Sequence, residues 1–400
     1  MARTFDVPAF YRSPIVSRIK EQRRLEDPRK KDLSPSVLDH GSVTFKLARH
    51  FGFCYGVENA IEIAYRALRE HPDKRIFLLS EMIHNPHVND DLLSRGIRFL
   101  RTTEGEQLIP FSELTPDDVV IIPAFGTTLE VEKQLADMGI DVTAYNTTCP
   151  FVEKVWKRSD QIGRKDYTVI VHGKRYHEET RATFSHAQAV TRVMVIRDLE
   201  EARELARYIR GDADRSFFNA RFADRTSPGF DPERDLTRIG VVNQTTMLAT
   251  ETAEIAAILR QAMMDRYGAD DLPAHFADTS DTLCYATNEN QDATRALIED
   301  GADLAIIVGG SNSSNTSHLV ELCEERMPTF FISDASRIDS ADRISHFDLH
   351  VKDYITTQGW LPAKRPVTVL LTAGASCPDS LLDEVIHRVT ELVGDAHALV

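Results

Sequence analysis

Residues 304–316 read Leu304-Ala305-Ile306-Ile307-Val308-Gly309-Gly310-Ser311-Asn312-Ser313-Ser314-Asn315-Thr316, and their reading decides the fold. An apolar run with no polar alternation suits a strand buried on both faces, as in a parallel sheet covered by helices. Gly, Ser and Asn then supply turn and helix-start chemistry, and a helix is predicted from Thr316. The same succession recurs along the chain. Residues 45–48 lead through 49–56 to a helix near 57–70, and 119–123 lead through 124–128 to 129–138. Residues 168–171 lead through 172–176 to 177–184, and 239–242 lead through 243–246 to a long helix ending near Met264. Last, 367–371 lead through 372–378 to a helix ending at about Val393. Apolar strands alternating with amphipathic helices predict an α/β fold with mostly parallel sheets, in which ligands sit beyond the carboxyl ends of the strands. The polar loops are therefore the expected site-building loops.

Two stretches depart from this pattern. The first forty-odd residues are polar, with Arg23, Arg24, Arg29, Lys30 and Lys31 interleaved with Glu21, Glu26 and Asp27. They have neither the apolar core of a secretory signal nor the acid-poor composition of an organellar transit peptide, and read as an N-terminal extension. Residues 211–236, rich in Arg and Asp with Phe217, Phe218, Pro228, Gly229 and Pro232, read as an inserted surface loop.

The 400 residues suffice for two or three domains with their own cores, and 42% hydrophobic with 27% charged residues is a soluble globular composition. No run approaches the roughly 20 apolar residues of a membrane-spanning helix. A net charge of −15 argues against broad binding to nucleic acid or anionic membranes and leaves room for a local anion pocket. Five scattered cysteines are not a disulfide framework, so a reducing, cytoplasmic setting is expected.

Three of those cysteines share the strand-end setting: Cys54 in Gly52-Phe53-Cys54-Tyr55-Gly56-Val57, Cys149 in Asn146-Thr147-Thr148-Cys149-Pro150, and Cys284 in Asp281-Thr282-Leu283-Cys284-Tyr285. Cys323 lies within a helical run and reads as a core thiol, and Cys377 neighbours a ligand loop without being read as a ligand. Spacings of 95 and 135 residues exclude a zinc ribbon or a CxxC redox motif. Three thiolates on a four-iron cubane leave one iron open to a substrate oxygen as a Lewis acid, and a three-thiolate zinc site remains the other reading of the same residues.

The 309–315 loop and Thr372-Ala373-Gly374-Ala375-Ser376 each offer hydroxyls and backbone N–H groups at a helix start, where an anion is favoured. Ser and Asn also cap helices, so it is the pair of loops together with His84, in His84-Asn85-Pro86, that points to an oxyanion pocket. His177-Glu178-Glu179-Thr180 sets a carboxylate two residues from an imidazole, and Gln244-Thr245-Thr246 adds hydroxyls at another strand end. A carboxylate beside a desolvated cluster would have its pKa raised towards a general acid's range.

Together these motifs resemble the 4-hydroxy-3-methylbut-2-enyl diphosphate reductases of the non-mevalonate isoprenoid pathway, from about Lys46 to Val393. The shared signatures are Gly-Phe-Cys-x-Gly-Val at Cys54, His-Asn at His84, Thr-Cys-Pro at Cys149, His-x-Glu at His177 and Glu179, Gln-Thr-Thr at Gln244, Asp-Thr-x-Cys at Cys284, Asn-Ser-Ser-Asn at Asn312 and Thr-Ala-Gly-Ala-Ser at Thr372. The resemblance implies three α/β sub-domains, 45–148, 149–283 and 284–400, after an extension over 1–44. They would stand pseudo-threefold around a [4Fe–4S] cluster held by Cys54, Cys149 and Cys284. It implies that His84, His177, Ser313, Ser314, Asn315 and Ser376 hold the diphosphate, that Glu179 delivers protons, and that Thr245 orders the substrate hydroxyl and its protons. A small allylic diphosphate would be reduced to isopentenyl and dimethylallyl diphosphate, with electrons from a low-potential donor such as ferredoxin or flavodoxin. Where many bacterial members carry Ala-His-Gly, this chain has Ala124-Phe125-Gly126, as in the plant and cyanobacterial branch. Phenylalanine donates no hydrogen bond, so no phosphate-binding role passes to Phe125.

Two other classes fit the bare residues. A cluster-dependent hydro-lyase would dehydrate without a reductant, and a non-enzymatic protein would hold structural zinc and be colourless.

Overall fold

The apolar runs read as strands fold as strands, and their loops stand at the carboxyl ends of parallel sheets. The computed structural model describes residues 4–277 and 282–394. Asp281 of the Asp-Thr-x-Cys signature lies outside the described residues. The chain divides into two compact units: Met1–Glu62 with Ile83–Asp91 and Tyr285–Val400, and Ile63–Met82 with Leu92–Cys284.

The first unit is built on a five-stranded sheet in the order Ser36–Asp39, Val43–Leu47, Val367–Ala373, Leu304–Val308, Thr329–Ile332. All neighbours are parallel except the Ser36–Asp39 edge strand, which pairs antiparallel with Val43–Leu47. Leu304–Val308 is buried along its whole length, as its unbroken apolar sequence requires. Leu371 sits opposite Leu47 and Ala373 opposite Val308, so the loops that follow these strands emerge at one edge. Phe45, Ile306, Phe331 and Leu371 lie in the core between sheet and helices, together with Cys323 and Cys377. An antiparallel hairpin, Arg343–Asp348 with Asp353–Gln358, completes this unit.

The second unit carries two three-stranded parallel sheets. One runs Arg98–Phe99, Ile76–Leu78, Val119–Ile121, and is extended by a parallel bridge from Ile122 to Asn146. The other runs Val193–Ile196, Thr168–His172, Ile239–Asn243, extended by a parallel bridge from Ile239 to Phe276. Both middle strands are buried throughout.

Residues 211–236 correct the reading of a surface loop. Arg215–Phe222 is a helix capped by Asp214, whose side chain accepts from the Phe217 N–H. Phe218 and Phe222, one turn apart, are buried against Tyr208, Ile209 and Leu236. An Arg-rich outer face had masked this i, i+4 apolar pair. The extension is structured too: Pro14–Glu26 is a helix capped by Ser13, with Val16 fully buried. Among the described residues, no helix is long and apolar enough to cross a membrane.

Candidate active site

Each of Cys54, Cys149 and Cys284 is the residue before a helix: Tyr55–Glu70, Pro150–Gly163 and Tyr285–Glu299. All three are half-buried thiols outside any disulfide. One backbone device repeats at each. The Cys54 N–H donates to the Ala375 carbonyl at 3.1 Å, that of Cys149 to Ala124 at 2.9 Å, and that of Cys284 to Thr245 at 3.2 Å. The three acceptors stand in the loops after Val367–Ala373, Val119–Ile121 and Ile239–Asn243, one from each parallel sheet. Burial pushes the Cys54 thiol up, and the N–H groups of Val57 and Gly56 at the helix start oppose it. Cys323 and Cys377 are wholly buried, and burial pushes the Cys323 thiol up to about 12. Among the described residues no three or more His, Cys, Asp or Glu side chains gather to share one metal ion. An all-thiol donor set suits an iron–sulfur cluster, whose cysteines each bind a different iron.

Glu179 is the second residue of the Glu178–Gln188 helix. His177 caps that helix, its Nδ1 accepting the Glu179 N–H at 3.2 Å, which places the proton of the neutral ring on Nε2. The Phe125 ring meets the His177 ring edge to face at 5.5 Å. Glu179 is 1% exposed, with Oε1 accepting the Thr245 N–H at 2.5 Å and Oε2 accepting the Thr245 hydroxyl at 3.0 Å. Burial raises this carboxyl to about 7 even though both bonds to Thr245 pull it down. Glu178 is buried as well, near Ser80, Arg101 and Arg181, and burial raises it to about 8 against the pull of those groups. Arg181 Nη2 is 3.9 Å from it and Ser80 stands outside hydrogen-bond geometry. Gln244 fixes the neighbouring loop, with Oε1 accepting from the Lys174 N–H and the Thr180 hydroxyl at 3.0 Å each.

The first unit repeats this arrangement with different side chains. Ser313 caps the Ser314–Glu324 helix, its Oγ accepting the Thr316 N–H at 3.3 Å and the Thr316 hydroxyl at 3.0 Å. Asn315 occupies the place Glu179 holds in the second unit: its Oδ1 accepts the Ala375 N–H at 2.9 Å, and the Ala375 carbonyl in turn holds Cys54. Asn290 Nδ2 donates to the same Oδ1 at 3.4 Å, leaving Asn315 Nδ2 buried without a protein partner. The Ser376 hydroxyl donates to the His84 carbonyl at 3.0 Å. Ser313, Ser314, Asn315, Ser376 and His84 thus come together in one unit, all buried. His177, Glu179 and Thr245 come together in the other.

Sequence reading missed Asn290 and Tyr285, whose hydroxyl accepts the Tyr55 N–H at 3.0 Å beside Cys54. Asn290 carried one available signal, a buried-phase polar residue on the helix after Cys284. The close packing also needs glycine. A Cβ on Gly309 would stand 2.7 Å from Thr316 Oγ1 and 2.9 Å from its Cγ2. Gly309→Ala is expected to lower unfolding stability by about 1–3 kcal/mol through overpacking, measured as a fall in denaturant midpoint at unchanged slope.

A family model described as LytB protein matches residues 45–390. A 4-hydroxy-3-methylbut-2-enyl diphosphate reductase of Gloeobacter violaceus is 46% identical over 361 residues, covering 90% of this chain and 85% of that protein. One from Prochlorococcus marinus is 41% identical over 96% of this chain and 94% of its own. A solved structure of (E)-4-hydroxy-3-methyl-but-2-enyl diphosphate reductase, the terminal enzyme of the non-mevalonate pathway, matches with a TM-score of 0.53 at 25% identity, covering 86% of this chain and 98% of that one. The E-1-hydroxy-2-methyl-but-2-enyl-4-diphosphate reductase of Plasmodium falciparum matches in fold, with a TM-score of 0.62 at 20% identity over 88% of each chain. By sequence and by fold, the chain belongs to the LytB protein family.

Proposed function

We propose that this chain is a 4-hydroxy-3-methylbut-2-enyl diphosphate reductase, removing the allylic hydroxyl of its substrate as water with two electrons and two protons. The products are isopentenyl and dimethylallyl diphosphate. The observation that carries this reading is the buried Glu179, raised to about 7 by burial and clamped by Thr245, whose carbonyl also fixes the backbone of Cys284. A general acid and a thiol are thereby tied to one residue. Cys54, Cys149 and Cys284 would hold a [4Fe–4S] cluster, which when bound supplies electrons and a Lewis-acidic iron.

The rest of the work falls to the chain's own side chains. His177 presents Nε2–H, and Asn315 presents Nδ2–H, as donors for the diphosphate oxygens, with Ser313, Ser314, Ser376 and His84 as further ligands. Helix starts at Ser313 and His177 add the favourable end of the backbone dipole. Glu179 holds the proton that converts the departing hydroxyl into water, and the Thr245 hydroxyl orients both. Phe125 fills the space against the His177 ring and confines its orientation.

Asn315→Ala is expected to raise KM about 10- to 100-fold with a smaller change in kcat, the loss of one charge-assisted hydrogen bond to the anion. Unchanged affinity in this variant would place the diphosphate elsewhere. The function itself is tested by anaerobic purification with iron, sulfide and zinc analysis, followed by assay with and without a reduced low-potential donor. Zinc in place of iron and sulfide would favour the binding protein, and turnover without reductant would favour the hydro-lyase.

A further inference from the structure

The N-terminal extension lies before the residues matched by the family model, yet its first turns are among the buried parts of the chain. Phe5, Val7 and Tyr11 are each less than a tenth exposed. Two of these rings close on the residues either side of Cys54. Phe5 meets Tyr55 edge to face at 4.9 Å, and Tyr11 meets Phe53 edge to face at 5.7 Å. The Tyr11 hydroxyl donates to Asp91 at 2.9 Å, which fixes its ring. Farther along, Lys20 pairs with Asp379 at 2.7 Å and lies over the Phe51 ring at 4.6 Å. Asp379 and Lys20 crowd the α-carbon of Gly52, where an added Cβ would stand 2.5 Å from Asp379 Oδ1 and 3.0 Å from Lys20 Nζ. Gly52 has φ +75°, so no other residue fits there without strain.

We propose that Phe5, Tyr11 and Lys20 are positioning residues that clamp the Cys54 loop, fixing Cys54 in the conformation it uses as a ligand. This rests on the reading of Cys54 as a cluster ligand. The three contacts grip Phe51, Gly52, Phe53 and Tyr55, which leaves the loop no local way to open unless the extension lifts. Ligand exchange at Cys54 is then governed by the extension, and not by the loop alone.

The test is anaerobic loss of visible iron–sulfur absorption to an iron chelator, in the full-length holoprotein. Phe5→Ala and Tyr11→Ala are expected to lose the cluster about two- to tenfold faster than wild type, the change in open population that one edge-to-face contact brings. Tyr11→Phe keeps the ring but loses the bond to Asp91, and is expected to fall between wild type and Tyr11→Ala. Phe5→Leu and Tyr11→Leu, which keep apolar volume but not the ring geometry, replace the alanine variants if those fail to fold. Peptide-resolved iodoacetamide alkylation of the full-length cluster-free chain reads the clamp without iron. Cys54 should react two- to tenfold faster in the variants, with Cys149 unchanged. Wild-type chelator and alkylation rates in both ring variants would overturn the clamp, and so would equal acceleration at Cys149, which would mean general loosening. A wild-type chain that holds no iron or sulfide would defeat the cluster reading instead, with the alkylation ratio still deciding the clamp.

Discussion

Cys54→Ser, Cys149→Ser and Cys284→Ser are each expected to abolish retention of iron and sulfide, whereas Cys323→Ser and Cys377→Ser keep both. The two groups differ in backbone setting as well as in burial. Each of the first three has its N–H fixed by a strand-end carbonyl, at 2.9–3.2 Å, and precedes a helix whose first N–H groups favour a thiolate. A serine hydroxyl in the same place stays protonated at neutral pH and is a hard, weak ligand for iron. Cys323 and Cys377 lie in the apolar core, where a thiolate is strongly disfavoured. Putting a hydroxyl there costs about 1–3 kcal/mol without touching the cluster. Thermal unfolding should therefore fall in the Cys323→Ser protein while iron per chain stays level. Wild-type iron content in any of the first three variants would remove that cysteine from the ligand set.

The sheets were legible because their signal is local. An unbroken apolar run such as 304–308 followed by Gly and Ser can be read without knowing its neighbours, and so can the cap that Ser313 makes. The candidate site residues could be named for a related reason: they stand in those loops or in the first turn of the helix that follows. What could not be read joins distant segments. Nothing near Tyr11 in sequence announces Phe53, and nothing near Asn290 announces Asn315. Phe218 and Phe222 were hidden differently, because the Arg and Asp residues around them carry the composition of a loop while the apolar pair has a helical period. The equivalence of Asn315 and Glu179 was out of reach for the same reason as Asn290. It depends on which loop N–H each side chain accepts, a fact set by tertiary packing alone.

That equivalence sharpens what Glu179→Gln should do. In the first unit an amide at this position accepts a loop N–H through Oδ1, so a glutamine at 179 can accept the Thr245 N–H through its own carbonyl without disturbing the loop. Its Nε2 can donate to the Thr245 hydroxyl once that hydroxyl turns. Cluster content and KM should therefore stay close to wild type, and the Cys284 N–H should keep its acceptor. What the amide lacks is a proton to give, and removing a positioned acid costs about 10²–10⁴ in kcat. The pH dependence follows from the sign of the shift. Burial raises Glu179 from 4.5 to about 7, so the acid form is present below about 7 and is lost as pH rises through that value. Wild-type kcat should fall on the alkaline side with an apparent pKa near 7, and the residual rate of the glutamine variant should lack that limb. Glu178 is the nearest rival, raised to about 8 by burial against the pull of Arg101 and Arg181. Adjacent helical residues point roughly 100° apart, so the carboxyl that grips Thr245 leaves the other directed away from it. A Glu178→Gln protein that is dead and has lost the alkaline limb, beside a Glu179→Gln protein with wild-type kcat, would move the acid by one residue.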